Sequence, residues 1–233
     1  MITRLDWDSD FFGYPVGKAI NEEPEHFSIE NLARKAEEFR LVYLFSKTEL
    51  PVSSKDLFLA DRKVTLLRKT EMLTDNYECI EPYYGKVTDR LLELALQSGI
   101  HSRFNTDRSF VNDEYRKLYT AWIENSVSRM IAREVFVYRR QGHLLGFITS
   151  GTRAERADIG LVAVDSQSRG RGIGSLLVSY AVNEARIAGY DEIQVITQLD
   201  NESAMNLYQK NGFCVIDMVY VYHYRRNQAH IKN

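Results

Sequence analysis

The sequence predicts an α/β fold, and three observations carry that prediction. An apolar run, Ile159–Val164, reads as a buried strand and hands over, through glycines at 170, 172 and 174, to a stretch of helical period. In that stretch Ile173, Leu176, Leu177, Tyr180, Ala181, Ala185 and Ala188 fall on one face. On either side of this junction strand-like and helix-like segments follow one another rather than segregating.

Taken in order, residues 1–75 read β-α-β-β. Leu5–Gly13 is aromatic-rich and precedes a strand at Val16–Ile20. Ser28 can cap a helix whose apolar face is Ile29, Leu32, Ala33 and Ala36. Leu41–Phe45 reads as a buried strand, and Leu57–Ala60 and Val64–Leu67 as two short strands around a polar turn. About seventy residues make a marginal core alone. This segment is therefore expected to be a small α/β lobe packed on a main domain spanning 76–227, with 228–233 a frayed tail.

The main domain opens with Cys79-Ile80 on a short strand. Thr88 can cap a helix carrying Leu91, Leu92, Ala95 and Leu96, closed by Gly99. A polar loop over 100–111 carries Arg103 and Arg108. A second helix, about 112–131, has a stripe of Tyr115, Leu118, Tyr119, Trp122, Ser126 and Met130. Val135–Arg139, the turn Gln141-Gly142 and Leu144–Thr149 read as a hairpin. After the glycine helix come a strand at Glu192–Thr197, a helix at 202–211 and an aromatic strand, Phe213–Tyr224.

Composition bounds the function. The chain has 233 residues, 44% hydrophobic and 27% charged, with a net charge of −2. That is enough for a sizeable core and offers no general affinity for nucleic acid or an anionic membrane. There is no apolar run of about 18 residues and no signal-peptide core at the N-terminus, so the expected compartment is the cytoplasm. Cys79 and Cys214 stand far apart without metal-type spacing, and are expected as buried free thiols; no metal is expected.

The glycine junction is a place for a phosphate. The first N–H groups of a helix lack internal partners, and the helix dipole favours an anion there. Arg169 and Arg171 add charge and forked donors. The spacing is neither a dinucleotide fingerprint nor a Gly-Lys-Ser/Thr phosphate loop. The pattern Arg169-x-x-Gly172-x-Gly174 resembles the pyrophosphate-binding motif of the GCN5-related N-acetyltransferases (GNAT). The resemblance continues in Gly160–Val164, similar to that family's splayed strand, in Gln194–Gln198, and in Asn201…Ala204…Leu207-Tyr208…Gly212-Phe213, similar to its closing helix.

The resemblance implies a GNAT fold: a mixed central sheet with a splayed strand pair, plus the small N-terminal lobe. It implies acetyl-CoA as cosubstrate, held by Leu161, Val162, Ala163 and Val164 on the splayed strand and by Arg169, Gly170, Arg171, Gly172, Ile173, Gly174 and Ser175 on the loop and first helical turn. Asn201, Ala204 and Tyr208 complete that set. Val162 and Val164 would pair with the pantetheine amides as an added strand does. Tyr208 matches the position of a general acid that protonates the departing thiolate; the alternative is a helix-face aromatic in the core. Asn201 can serve as an N-cap, a pantetheine contact, or both. Asp158, Glu155, His143 and His101 are candidates for a general base; the competing readings are ordinary surface or loop residues and an ordered-water route to solvent, and no base is named.

A second resemblance is scattered over nearly the whole chain. Trp7-Asp-Ser-x-Phe-Phe-Gly13, Ser102-Arg103-Phe104 and Tyr119–Val127 are similar to segments of the nucleotide-sugar N-acetyltransferases that act on dTDP-4-amino-4,6-dideoxygalactose (dTDP-fucosamine). It implies a small-molecule nucleotide-sugar partner, a role in bacterial surface polysaccharide synthesis and a homodimer. Arg103 and Arg108 are then candidates for the diphosphate, and Tyr119 and Trp122 for stacking on thymine or sugar. Packing is the competing role for these aromatics and for Trp7, Phe11 and Phe12. The competing functions are acetylation of a protein N-terminus or another small amine, and a non-catalytic acyl-CoA sensor.

Overall fold

The computed structural model describes residues 1–51 and 54–225. The tail expected at 228–233 lies outside the described residues. The chain forms two compact units, Met1–Lys63 with the chain from Met218 on, and Val64–Asp217. The expected boundary at 75 falls inside the second unit. The reason is that a single strand, Leu57–Lys69, carries the chain out of the first unit, and the last strand brings it back.

The first unit holds β1 (Ile2–Arg4), α1 (Asp6–Phe12), β2 (Val16–Asn21), α2 (Ile29–Lys35), β3 (Leu41–Ser46), the start of β4 (Leu57–Lys69) and the end of β10 (Cys214–Arg225), in strand order β1-β2-β3-β10-β4. Strands β2 and β3 are parallel, joined through α2, while β1 runs antiparallel to β2 and β10 antiparallel to β3. The Ser28 hydroxyl accepts from Asn31 N at 3.2 Å, as an N-cap should. Leu32 and Ala36 of the α2 face pack with Val42, Leu44, Leu57 and Tyr222. The aromatic segment before β2 is a short helix closed by Gly13 in the left-handed region (φ 72°), with Trp7 and Phe11 stacked at 4.9 Å.

The second unit takes the rest of β4, then β5 (Ile80–Pro82), α3 (Asp89–Ser98), α4 (Arg103–Thr106), α5 (Glu114–Val127), β6 (Glu134–Arg140), β7 (His143–Arg153), β8 (Arg156–Val164), α6 (Ile173–Ile187), β9 (Glu192–Gln198), α7 (Glu202–Lys210) and the start of β10. Its strands are ordered β4-β9-β8-β7-β6-β5, with β8 and β9 parallel and β5 to β8 antiparallel. The sheet is therefore mixed. Thr88 caps α3 by accepting from Leu91 N at 3.3 Å. Leu91, Leu94 and Ala95 of α3 and Ile123 of α5 pack with Val135, Val137, Phe147 and Ala163 of the sheet. The next residue back along β7, Gly146, faces the opposite side and lies under Ile173 and Leu177 of α6. Helices thus cover both faces.

Three local expectations differ. The polar run Asp61-Arg62-Lys63 is not a turn: β4 is continuous over 13 residues, because it has a neighbouring strand on each side to satisfy its backbone. The loop 100–111 contains the one-turn helix α4, capped by Ser102. Cys79 and Cys214 are free, as expected, but not buried; Cys214 is exposed beside Val215 and Ile216 at the start of β10. Among the described residues no helix is long and apolar enough to cross a membrane.

Candidate active site

The site starts from a register fault. Pairing of β7 with β8 runs Gly146↔Val164, Phe147↔Ala163 and Ile148↔Val162, then resumes at Ser150↔Ile159. One residue of β7, Thr149, therefore faces two of β8, Gly160 and Leu161: a β-bulge. Pairing of β8 with β9 stops at the same level. Its last pair is Ile159↔Val195, although β8 runs on to Val164 and β9 to Gln198. Beyond the bulge the two parallel strands are splayed.

The direction of the backbone groups on that open edge follows from two hydrogen bonds. Asp165 N donates to Leu145 O at 2.8 Å, and Leu161 N to the Thr149 hydroxyl at 2.7 Å, both toward β7. Backbone groups alternate along a strand, so those of Val162 and Val164 point away from β7, into the opening. The Arg169 Nε donor reaches Val164 O there at 3.2 Å. Of the four residues expected on this strand, Val162 and Val164 offer their backbone to the opening; Leu161 and Ala163 turn theirs to β7.

The glycine loop closes the end of the opening. Gly170 and Gly172 have φ of 75° and 80°, and no heavy atom lies within 4 Å of a Cβ built on either. They are required by their left-handed backbone, and the space outside them is open. Gly172 is the N-cap of α6 and carries no side-chain cap. The first intrahelical bond runs from Leu176 N to Gly172 O, so the N–H groups of Ile173, Gly174 and Ser175 precede the ladder. Arg169 and Arg171 are exposed. At Gly174 a Cβ would meet Leu207 of α7 at 3.3 Å and Val164 at 3.7 Å, so loop, strand end and α7 converge on this residue. A cavity of about 450 Å³ adjoins the loop, lined by Gly172, Ser175, Lys210 and Asn211 among others.

Helix α7 is capped by Asn201, whose side chain accepts from Ala204 N at 3.1 Å. Tyr208 lies on its buried face at 2% exposure, edge-on to Phe213 with ring centroids 5.7 Å apart. Burial, and then the nearby Asp158 carboxylate, push its phenol pKa well up, so it holds its proton at neutral pH. Asp158 itself is buried and paired with Arg153 at 3.3 Å. The other base candidates, His101, His143 and Glu155, are exposed.

The helical residues proposed for an acceptor divide. The Tyr119 ring is buried against Gly99, where a Cβ would lie 2.0 Å from it, and this contact is packing. Trp122 is half-buried, edge-on to Tyr119 at 4.8 Å and to Phe104 at 6.1 Å. The Arg103 guanidinium lies 4.5 Å over the Phe104 ring, and Arg108 is exposed. One residue had no local signal. Arg90 of α3 is ion-paired with Asp165, which also accepts from Gln167 N at 2.7 Å, and its Nε donates to Leu144 O at 3.2 Å. It pins the entry of the glycine loop from a distant helix, and only the tertiary contact reveals it.

Comparison with known proteins bears on this geometry. The chain is 30% identical over 132 residues to the dTDP-fucosamine acetyltransferase of Escherichia coli O6:H1 (strain CFT073), covering 56% of each protein. It is 25% identical over 136 residues to the spore coat polysaccharide biosynthesis protein SpsD of Bacillus subtilis, covering 58% of this chain and 47% of that one. The chain thus spans about half the length of these relatives. In fold it resembles a crystal structure of a GNAT-family acetyltransferase from Novosphingobium aromaticivorans DSM 12444, with TM-score 0.52 at 11% identity over 80% of this chain and 75% of that one. The Acetyltransferase (GNAT) family model matches residues 90–213, more than half of the 233 residues, from the helix of Arg90 to Phe213 beside Tyr208. The chain with this splayed, glycine-closed strand belongs to the acetyltransferase (GNAT) family.

Proposed function

We propose that this protein is an acetyl-CoA-dependent N-acetyltransferase that acts on the 4-amino group of a dTDP-linked 4-amino-4,6-dideoxyhexose, dTDP-fucosamine first, in polysaccharide synthesis. The donor half rests on one observation above all. The opening between β8 and β9 presents the backbone of Val162 and Val164 on one side and ends at the uncapped N-terminus of α6. An amide-bearing chain that carries a diphosphate fits both features: the strand edge takes the amides, and the helix N-terminus with Arg169 and Arg171 takes the phosphates. Acetyl-CoA would supply the acetyl thioester.

The protein's own groups then have defined tasks. N–H groups on the open edge of β8 are donors for negative charge developing on the acetyl oxygen. Tyr208 holds a proton at its Oη for the departing sulfur, and its raised pKa keeps that proton in place. Asn201 fixes the start of α7 and with it the setting of Tyr208. The acceptor half rests on the likeness to the E. coli enzyme, on Arg103 as a forked donor for a diphosphate and on Trp122 as a partly exposed ring; Tyr119 supports Trp122 from behind.

The test is a panel of dTDP- and UDP-linked amino sugars incubated with purified protein and acetyl-CoA, read by mass spectrometry. Acetylation of dTDP-4-amino-4,6-dideoxygalactose ahead of the UDP sugars is expected. Failure on every dTDP-4-amino sugar refutes the acceptor, and failure to bind acetyl-CoA refutes the donor.

A further inference from the structure

We propose that Thr149 is a positioning residue for the coenzyme opening: its hydroxyl holds the one-residue bulge that turns the backbone of Val162 and Val164 outward from β7. The inference rests on the reading that this opening takes acetyl-CoA. It extends that reading to a residue of the neighbouring strand β7, whose hydroxyl meets β8 on the side away from the opening.

The chemistry of a bulge sets the requirement. Two residues facing one leave a backbone group without its ladder partner. Here the Leu161 N–H lies at the bulge, and the Thr149 Oγ1 accepts from it at 2.7 Å. Thr149 is 2% exposed, so water has no ready access to replace it. Gly160 completes the lock: a Cβ there would lie 2.6 Å from the same Oγ1, so any side chain would push the hydroxyl off its position. Oxygen, amide and missing side chain fit one another at the level where β8 and β9 part, below which Ile159 pairs with Val195.

The bulge decides which N–H groups reach the opening. Strand geometry has a period of two, so removing the extra residue slips everything beyond it by one position. The backbone of Leu161 and Ala163 would then face the opening, and that of Val162 and Val164 would turn to β7. Side chains would exchange faces as well, and Ala163 would leave its place in the core beneath α3. A threonine hydroxyl on the neighbouring strand thus selects the register in which the coenzyme arm finds its donors.

The experiment compares the wild-type protein with Thr149→Val, which keeps the shape and deletes the acceptor, and Thr149→Ser, which keeps the hydroxyl. Acetyl-CoA affinity is measured by calorimetry, Leu161 amide exchange by NMR, and thermal midpoints alongside. Thr149→Val should bind acetyl-CoA at least tenfold more weakly and exchange the Leu161 amide faster. Thr149→Ser should stay within about threefold of wild type in affinity even if its thermal midpoint falls with the lost methyl group. Gly160→Ala, which crowds the hydroxyl without removing it, should also lose at least tenfold in affinity, and serves if Thr149→Val does not fold. Wild-type affinity in Thr149→Val, or an equal loss in Thr149→Ser, overturns the assignment of Thr149 alone. No binding of acetyl-CoA by the wild-type protein overturns the coenzyme reading and this assignment with it.

Discussion

Tyr208→Phe isolates the proton. The ring stays, with its edge contact to Phe213 and its buried area, so the fold should be retained and stability should change by about 1 kcal/mol or less. What is lost is a donor that burial has kept protonated and shielded from solvent. A positioned general acid contributes roughly 10²–10⁴-fold, or about 3–5.5 kcal/mol of barrier. At 2% exposure the hydroxyl has little water near it to act as substitute, which argues for the upper part of that range. Turnover is followed by release of the coenzyme A thiol at saturating substrates, and acetyl-CoA affinity by calorimetry. Turnover should fall by about 10³-fold or more with affinity nearly unchanged. Turnover within a few-fold of wild type would make Tyr208 a packing residue and refute the assignment. The same shift has a consequence for stability. A phenol whose folded pKa is raised above its unfolded value of about 10 gives a contribution that is intact below that pH and lost as pH rises through the folded value. Wild type should therefore lose stability above pH ~10, and Tyr208→Phe should lose less over the same window.

Other substitutions separate the halves of the proposed reaction. Gly172→Asp forces a side chain into a left-handed position (φ 80°) and puts a negative charge at the uncapped end of α6. Acetyl-CoA affinity should drop at least tenfold, about 1.4 kcal/mol, by calorimetry on folded protein; an unchanged value places the diphosphate elsewhere. Arg103→Ala should raise the Michaelis constant for the nucleotide sugar by about tenfold or more while that for acetyl-CoA holds, as steady-state kinetics would report; two unchanged constants remove Arg103 from the acceptor site.

Much of the fold, and the local geometry of the candidate donor site, was legible because the signals are local. The glycines, the helical period after them and the caps Ser28, Thr88 and Asn201 each declare a turn or a helix end within a few residues, and each is found where it was expected. What escaped depends on partners distant in sequence. Asp61-Arg62-Lys63 is polar enough to read as a turn, yet neighbouring strands on both sides carry β4 straight through it. Tyr119 and Trp122 share one helical stripe, and period alone cannot tell that the first is sealed against Gly99 while the second keeps an open side. The bulge at Gly160-Leu161 is a property of register between β7 and β8, and the Arg90–Asp165 pair joins α3 to a loop far along the chain. Neither has a pattern that a single segment of sequence can display.

In the proposed reaction acetyl-CoA lies along the open edge of β8 with its phosphates on the glycine loop. An amide-resolved NMR titration with acetyl-CoA tests this residue by residue. Saturable shifts are expected at the amides of Val162, Val164 and Gly170 to Ser175, and smaller ones at Leu161 and Ala163, which face β7. Saturation of the protein with acetyl-CoA while Val162, Val164 and the loop amides stay in place would contradict it.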